Sequence, residues 1–189
     1  MNIEQLVIKY SAPALCGIKP ANMFCIPEEK IRENSFHLLR VFLREQNLLC
    51  STLKLKGGKV LVLVYSKNWL RKILSSFTIQ NYLIEKGYLI RTPEEFICEI
   101  FKRIKTGMEF PHEIGVVLGY PVEDVIAFEK FHGKNYKHCG IWKCWSNVPD
   151  ALICEKKFRE CSFLCSKWFD EGYSLCQIIK NYKKAACAA

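Results

Sequence analysis

The sequence predicts an α+β fold in which a small, mostly antiparallel sheet is packed by several helices. Residues 51–65 predict a β-hairpin, because leucines alternate with lysines before Gly57 and Gly58 and an apolar strand returns after them. Residues 138–145 also alternate and predict a further strand of this sheet. Apolar residues recur at helical spacing in several segments, of which 28–48 is the clearest.

The other elements follow from local start and stop signals. Residues 11–27 are rich in Pro and Gly and predict a loop with a short extended piece. Thr92 and Pro93, followed by two glutamates, predict a helix start, and Gly107 predicts its end. The return strand of the hairpin is apolar on both sides, which predicts a central strand covered on both faces. The predicted helices span residues 2–10, 28–48, 67–76, 78–86, 93–105, 112–118, 121–131 and 150–169, and a final helix is capped by Ser174.

The composition is that of one globular domain, which we predict over residues 1–189. Half of the residues are hydrophobic and 25% are charged, as in ordinary water-soluble proteins. The longest apolar run, residues 60–65, is far shorter than the roughly 20 residues that span a bilayer. The N-terminus lacks the basic lead and the apolar stretch of a signal peptide. We therefore expect a cytoplasmic protein without a membrane partner.

The chain has eleven cysteines, an odd number without a regular framework, which argues against a secreted disulfide scaffold. Cys154, Cys161 and Cys165 share a helix face, where three thiols can hold a soft metal. Such a stripe more often belongs to the core, and no CxxC, HxH or HExxH occurs, so we predict no metal ligand. A thiolate metal or redox protein remains a weaker alternative, and the cofactor stays open. Cys16 and Cys139 are formal candidates for a nucleophile, but neither lies in a nucleophile motif.

The net charge is +9, yet residues 109–133 form an acidic island in which one lysine stands against five acidic residues. The island has the hydrophobic spacing of a DNA-binding helix-turn-helix, with its second helix over 121–131. A recognition helix meets phosphates with its first turn, and here that turn carries Glu123 and Asp124, so nucleic-acid binding is disfavoured. Two packed helices explain the spacing as well. A protein-interaction module whose acidic helix, 121–132, faces a basic partner is the main alternative to ligand binding.

His112 and Glu113 are candidates for acid/base chemistry. Both follow Pro111 at a predicted helix start, where the unpaired amides and the helix dipole stabilise a carboxylate. The same dipole disfavours a protonated imidazole, so His112 is expected to be neutral and able to act as a base or a ligand. The alternative is a partly buried histidine that is hydrogen-bonded to the backbone. The helix start also explains Glu113 without catalysis.

Basic residues near these helix starts predict an anion site. Lys134, Asn135 and Tyr136 lead into the strand that contains Lys143. A lysine between apolar neighbours in a strand either extends to solvent or meets an anion. Lys19, in the loop near the N-terminus, is a further candidate. Basic groups beside helix N-termini can hold a phosphate or a carboxylate, and solvated surface lysines are the alternative.

Three segments carry specific motifs: APALCGIKPANMF at 12–24, GGKVLVLVY at 57–65 and PHEIGVVLGYPVEDVIAFEKFHGKNYKHCGIWKCW at 111–145. With them the chain resembles an uncharacterised bacterial family, found mainly in anaerobic Gram-positive bacteria, that is marked by APxLxGxKPAxLF, GGKxLVxVY and PHEIGxxLGYPxxDV with GKNYKxxGxWK. Met23 and Cys144 are mild departures. The family is a domain of unknown function, so the resemblance implies no reaction and no cofactor. It implies that the candidate polar residues belong to one pattern, whereas most of the cysteines lie outside it.

The leading hypothesis is one polar pocket that binds a small anionic molecule, such as a phosphate-bearing metabolite or a nucleotide. His112 and Lys143 would converge on it, and Lys19 and residues 134–136 would add donors. If the pocket carries out a reaction, His112 is the acid/base, Glu113 orients it and the lysines hold negative charge. The sequence leaves open whether the protein is an enzyme and which protein partner it has.

Overall fold

The structure, a computed structural model, describes residues 2–31, 33–89, 92–107 and 109–187. The contacts of the chain group it into two compact units, Met1–Ser66 with Lys156–Ala189, and Lys67–Glu155. The prediction of one domain over residues 1–189 stays a prediction. Among the helices that the structure describes, none has the length and apolar content that crossing a bilayer requires.

The predicted α+β class is confirmed. The α-helices are α1 (Ile3–Leu15), α2 (Glu33–Glu45), α3 (Lys67–Leu74), α4 (Phe77–Glu85), α5 (Pro93–Thr106), α6 (Ile114–Val117), α7 (Val122–Lys130), α8 (Val148–Asp170) and α9 (Leu175–Cys187). The strands are β1 (Ala21–Pro27), β2 (Leu48–Leu55), β3 (Lys59–Ser66), β4 (His138–Cys139) and β5 (Lys143–Cys144).

The main sheet belongs to the first unit and has the antiparallel order β1-β3-β2. The predicted hairpin is confirmed as β2 and β3, and Gly57 and Gly58 adopt φ values of 76° and 66° in its turn. The prediction that β3 is central and covered on both faces is also confirmed, because residues 60–65 are all buried. Val60, Val62 and Val64 join a core made with side chains of α1, α2, α8 and α9.

The predicted loop over residues 11–27 is shorter than expected at its start, and its predicted extended piece is the strand β1. The helix α1 continues to Leu15, and β1 forms an edge strand of the sheet. Pro13 lies inside α1, two residues before the helix ends, and it lacks the N–H that would donate to the carbonyl four residues earlier, so α1 forgoes one backbone hydrogen bond there. Pro27 ends β1 at the sheet edge, where a missing N–H costs little.

The predicted helix over 28–48 is shorter than expected. Residues 28–30 form a 3-10 turn, residue 32 lies outside the described residues, and α2 then runs to Glu45. Leu48 already belongs to β2. The caps of later helices are confirmed: Thr92 Oγ1 accepts the Glu95 N–H at 3.2 Å at the start of α5, and Ser174 precedes α9.

The second unit contains α3 to α7 and the hairpin of β4 and β5. The predicted single strand over 138–145 is wrong: it divides into two short strands that pair with each other, His138 opposite Cys144 and Cys139 opposite Lys143. The hairpin stops at Cys144 because the next two backbone N–H groups donate to the carboxylate of Asp124 on α7. The predicted helix over 112–118 is also reduced, to α6.

Candidate functional site

A cavity of about 370 Å³ lies among α6, α7 and the β4–β5 hairpin in the Lys67–Glu155 unit. Its volume is in the range of small-molecule pockets. Most of its wall is apolar or aromatic and is formed by Ile114, Gly115, Val125, Phe128, Ile141 and Trp142. The remaining lining residues are His112, Tyr120, Asp124, Cys139, Gly140 and Lys143. His112 and Lys143 therefore line the same cavity.

A close contact between α6 and α7 forms one side of the cavity. Gly115 is buried, and a Cβ atom placed on it would lie 2.8 Å from Cγ2 of Val125. Gly119, with φ 77°, turns the chain between the two helices. The glycine at 115 is therefore needed for the approach of the two helices, since any larger side chain would push them apart.

Asp124 on α7 attaches the β4–β5 hairpin to this helix pair. Its Oδ2 accepts from Trp142 Nε1 at 2.8 Å, and its Oδ1 accepts the backbone N–H groups of Trp145 and Ser146 at 2.8 Å each. Burial opposes its ionisation, but these hydrogen bonds outweigh burial and lower the pKa of the carboxyl. A buried, ionised Asp124 thus fixes the cavity wall that carries Trp142.

An aromatic pair covers the same wall. The rings of Tyr120 and Trp142 stack with centroids 5.2 Å apart and planes 21° apart. The Tyr120 hydroxyl donates to the carbonyl of Ile141 at 3.5 Å, a long hydrogen bond. Burial raises the pKa of Tyr120 to about 12, so the phenol remains protonated at neutral pH. The pair offers flat apolar surface to a ligand.

The ammonium of Lys143 is positioned by the segment that follows α7. Its Nζ donates to the carbonyl of Gly133 at 2.7 Å and lies 5.1 Å from the ring centroid of Tyr136 and 5.6 Å from that of Phe128. Aromatic faces attract a cation at this range. Because an ammonium has three N–H donors and Gly133 uses one, Lys143 can still donate to a ligand.

Gly133 adopts φ 67°, and a Cβ atom there would lie 3.1 Å from Nζ of Lys143 and 3.1 Å from the Phe128 ring. Because Gly133 has no side chain, the ammonium of Lys143 can lie close to the backbone there. Asn135, two residues later, also has a positive φ, 59°. With His132, at φ 48°, three left-handed residues turn the chain from α7 into β4.

His112 is partly exposed, and its ring packs against Phe128 with centroids 4.7 Å apart and planes at 56°. Among the described residues, neither ring nitrogen has a hydrogen-bond partner. The backbone carbonyl of His112 accepts the N–H of Gly115 at 2.9 Å, which holds the residue at the start of α6. The ring therefore has both nitrogens available to a ligand or to water.

Glu113 lies beside a second, charged cavity. The volume of this cavity is about 430 Å³, and in the described structure no hydrogen bond joins Glu113 to His112. His112 lines this cavity too, together with Lys86, Arg103, Glu129 and His132. Glu113 is only 6% exposed, and its charge, after burial, contributes to the raised pKa of Tyr88. His112 thus stands between an aromatic cavity and a charged one.

The other predicted ligand residues are more scattered. Lys134 and Asn135 are exposed and do not line the aromatic cavity. Tyr136 does not line it either, although its ring contacts the ammonium of Lys143. Lys19 belongs to the other unit, where its Nζ lies 5.7 Å from the ring centroid of Phe158. Asp124, Tyr120 and Trp142 were not predicted as site residues, although all three lie inside the PHEIG–GKNYK–WK motif segment.

Most carboxylates of the acidic island are buried or are paired with other residues of the same unit. Asp124 is 2% exposed, Glu113 is buried, and Glu129 accepts the Tyr82 hydroxyl at 2.7 Å and pairs with Lys86 at 2.7 Å. Within α7, Glu123 is the carboxylate left exposed in the described structure. The helix therefore presents little negative charge to a partner.

The described residues contain one group of three thiols that could hold a metal, and it differs from the predicted helix stripe. Cys161 and Cys165 belong to it, but the third member is Cys16 and not Cys154. Cys16 is also one of the two formal candidates for a nucleophile. It is buried and its pKa is raised, by hydrogen bonds with the other two thiols and by burial, so it is poorly suited to attack a substrate.

Comparison with protein-family models gives a match over residues 7–179 to a family described as "Protein of unknown function (DUF3793)". No curated protein and no solved structure gives a match.

Proposed function

We propose that the chain, which belongs to this family of unknown function, binds a small molecule that has a flat apolar body and one anionic group. The site is the cavity among α6, α7 and the β4–β5 hairpin. The observation that carries the proposal is that Lys143 and His112 line this cavity together while the rest of its wall is mostly apolar.

The apolar wall favours a ligand with an aromatic or aliphatic body. Trp142 and Tyr120 stack on each other, and Phe128 packs against His112. Flat rings in such walls bind planar ligands by burying area and by offset stacking. A highly charged ligand such as a triphosphate fits poorly, because the lining offers few cationic groups and already includes the buried anion Asp124.

Lys143 and His112 are the groups suited to a single negative charge. The ammonium keeps donors beyond the one used by Gly133, and the imidazole can donate from either nitrogen according to its tautomer. A carboxylate or a phosphate monoester meets both requirements. Charge-assisted hydrogen bonds of this kind contribute more than neutral ones.

The test uses matched probes that differ in charge or in body. Thermal shift and calorimetry compare indole-3-acetate with indole-3-acetamide, AMP with adenosine, and inorganic phosphate alone. We expect the aromatic anions to bind more tightly than their neutral partners, and phosphate alone to bind weakly. If no probe raises the melting temperature, or if neutral and anionic probes bind equally, the proposal is wrong.

Lysine variants locate the binding. Lys143→Met should weaken the binding of the aromatic anions by about 10- to 100-fold. This is the loss expected for one hydrogen bond to a charged group. Lys134→Met is the matched control, because Lys134 is close in sequence but exposed and outside the lining. Equal losses in both variants would indicate a general charge effect and would count against this site.

Acid/base catalysis by His112 with Glu113 stays a prediction, and binding does not depend on it. Glu113 and His112 both line the charged cavity, but no hydrogen bond joins their side chains among the described residues. The interaction module based on helix 121–132 gains no support from α7, where Asp124 and Glu129 are bonded within the unit.

A further inference from the structure

Three buried thiols meet in the core of the unit formed by Met1–Ser66 and Lys156–Ala189. Sγ of Cys16 lies 3.5 Å from Sγ of Cys165, and with Cys161 all three sulfur atoms lie within 4.8 Å of one another. The exposed fraction is 5% for Cys16, 0% for Cys161 and 1% for Cys165. This cluster is separate from the aromatic cavity and takes no part in the proposed ligand binding.

We propose that Cys16, Cys161 and Cys165 form a three-coordinate site for one soft cation, Cu(I). Sulfur ligands at about 2.3 Å from a metal in a trigonal plane stand roughly 4.0 Å apart. The observed separations are compatible with that arrangement after small side-chain movements. The site would form without any rearrangement of the backbone.

The local structure fits a cation at this point. Cys161 and Cys165 are one helical turn apart on α8, so their side chains project from the same face. Cys16 is the C-cap residue of α1, where the helix dipole places partial negative charge. This partial charge attracts the Cu(I) cation and opposes deprotonation of the thiols that bind it.

The donor set selects Cu(I) over harder or more highly coordinated ions. Thiolates prefer soft metals. Structural zinc takes four ligands in nearly every case, and the described residues place no histidine or carboxylate with the three sulfurs. The burial of all three cysteines also leaves little access for water as a fourth ligand.

The thiols already share hydrogen bonds that prepare them for a metal. Sγ of Cys16 and Sγ of Cys165 already lie within hydrogen-bonding distance of each other. Cu(I) would replace the thiol protons, and binding therefore releases up to three protons.

The experiment titrates reduced protein with Cu(I) without oxygen, in competition with the chelator bicinchoninate. The exposed cysteines Cys25, Cys98 and Cys139 are first replaced by serine so that surface thiols do not compete. We expect one tight equivalent of Cu(I), and X-ray absorption of that sample should show three sulfur neighbours.

Alanine variants assign the site. Cys161→Ala and Cys165→Ala should each weaken Cu(I) binding by about 100-fold or more, because removing a ligand exceeds the 10- to 100-fold effect of outer-shell changes. Cys154→Ala, on the same helix but outside the group, should bind as before. Circular dichroism confirms that each variant is folded, and Ag(I) serves as a second, redox-inert probe on those that are.

Three outcomes would overturn the proposal. Tight binding that survives in the folded Cys161→Ala and Cys165→Ala variants places the metal elsewhere. Reduced protein that binds neither Cu(I) nor Ag(I) has no such site. A shell of four ligands or a preference for Zn(II) over Cu(I) assigns the cluster to another metal. Because Lys143 and His112 are outside this unit, failure here leaves the small-molecule proposal unaffected.

Discussion

The indole Nε1 of Trp142 donates a hydrogen bond of 2.8 Å to Oδ2 of Asp124. Both residues line the aromatic cavity, and Asp124 also accepts two backbone N–H groups from the end of the β4–β5 hairpin. One carboxylate on α7 therefore holds both the wall of the cavity and the strand that carries Lys143. The geometry of the candidate site therefore depends on this buried anion.

Replacing Asp124 by asparagine should lower the free energy of unfolding by about 2–4 kcal/mol. An amide can accept the two backbone N–H groups through its oxygen, but its NH₂ group then faces the indole N–H of Trp142, donor against donor. Urea denaturation at pH 7 measures the change. Glu123→Gln is the control, since Glu123 is exposed and its change should stay within about 0.5 kcal/mol. Similar values for the two variants would contradict the assigned role.

Acid should remove the advantage of wild-type protein over Asp124→Asn. The pKa of Asp124 is held below its ordinary value of 3.8 in the folded protein, so the unfolded chain binds this proton more readily. The carboxylate's contribution is then complete above about pH 4 and is lost as pH falls further, through the folded pKa. Denaturation curves of both proteins between neutral pH and pH of about 3 test this sign. A stability difference that stays constant over the whole range would contradict it.

Gly115→Ala should separate α6 from α7. The new Cβ would lie 2.8 Å from Cγ2 of Val125, so we expect a loss of about 1–3 kcal/mol in the free energy of unfolding. The double variant Gly115→Ala/Val125→Ala removes the clashing methyl group. If contact is the cause, the two changes are not additive, and the double variant is more stable than the sum predicts. Strict additivity in the double-mutant cycle would show that the clash is not the reason.

Gly133→Ala should weaken binding of aromatic anions because its Cβ would displace the ammonium of Lys143, which lies 3.1 Å away. The backbone also has a positive φ, and strain there lowers stability independently of the contact. Gly57→Ala is a matched control, with φ 76° and no atom within 4 Å of the new Cβ. Both variants should be destabilised, but only Gly133→Ala should bind indole-3-acetate less tightly. Equal binding of indole-3-acetate by the two variants would show that Gly133 does not position the ligand-binding ammonium.

Elements of the fold whose signals are local could be predicted from the sequence. The cap at Thr92 and the turn at Gly57 and Gly58 are decided by residues only a few positions apart, and both appear as predicted. The length of the strand β1 and its place in the sheet could not, because they depend on pairing Ala21 with Tyr65, far along the chain. A Pro- and Gly-rich composition was a poor guide where distant partners supply the hydrogen bonds.

The same limit applies to the candidate site. The sequence singled out His112 and Lys143, which line one cavity, but it treated Lys134 and Asn135 as equal to them. Sequence proximity does not give side-chain direction in an irregular segment, and both of these residues point to solvent. The sequence shows Asp124 only as an acidic residue in the first turn of a predicted helix, whereas its role in the structure depends on donors about twenty residues later.

Lys19→Met should change how stability depends on alkaline pH. Lys19 is 4% exposed, and burial lowers its pKa from 10.5 to about 8. The unfolded chain therefore binds this proton more tightly, and wild-type stability should rise relative to Lys19→Met between about pH 8 and 10.5, by up to about 3 kcal/mol. Subtracting the stability of Lys19→Met from that of wild type cancels the titration of the thiols and phenols that both proteins share. Lys9→Met, at an exposed position of α1, should follow wild type. Parallel curves for wild type and Lys19→Met across this range would show that the ammonium does not lose its proton in the folded protein.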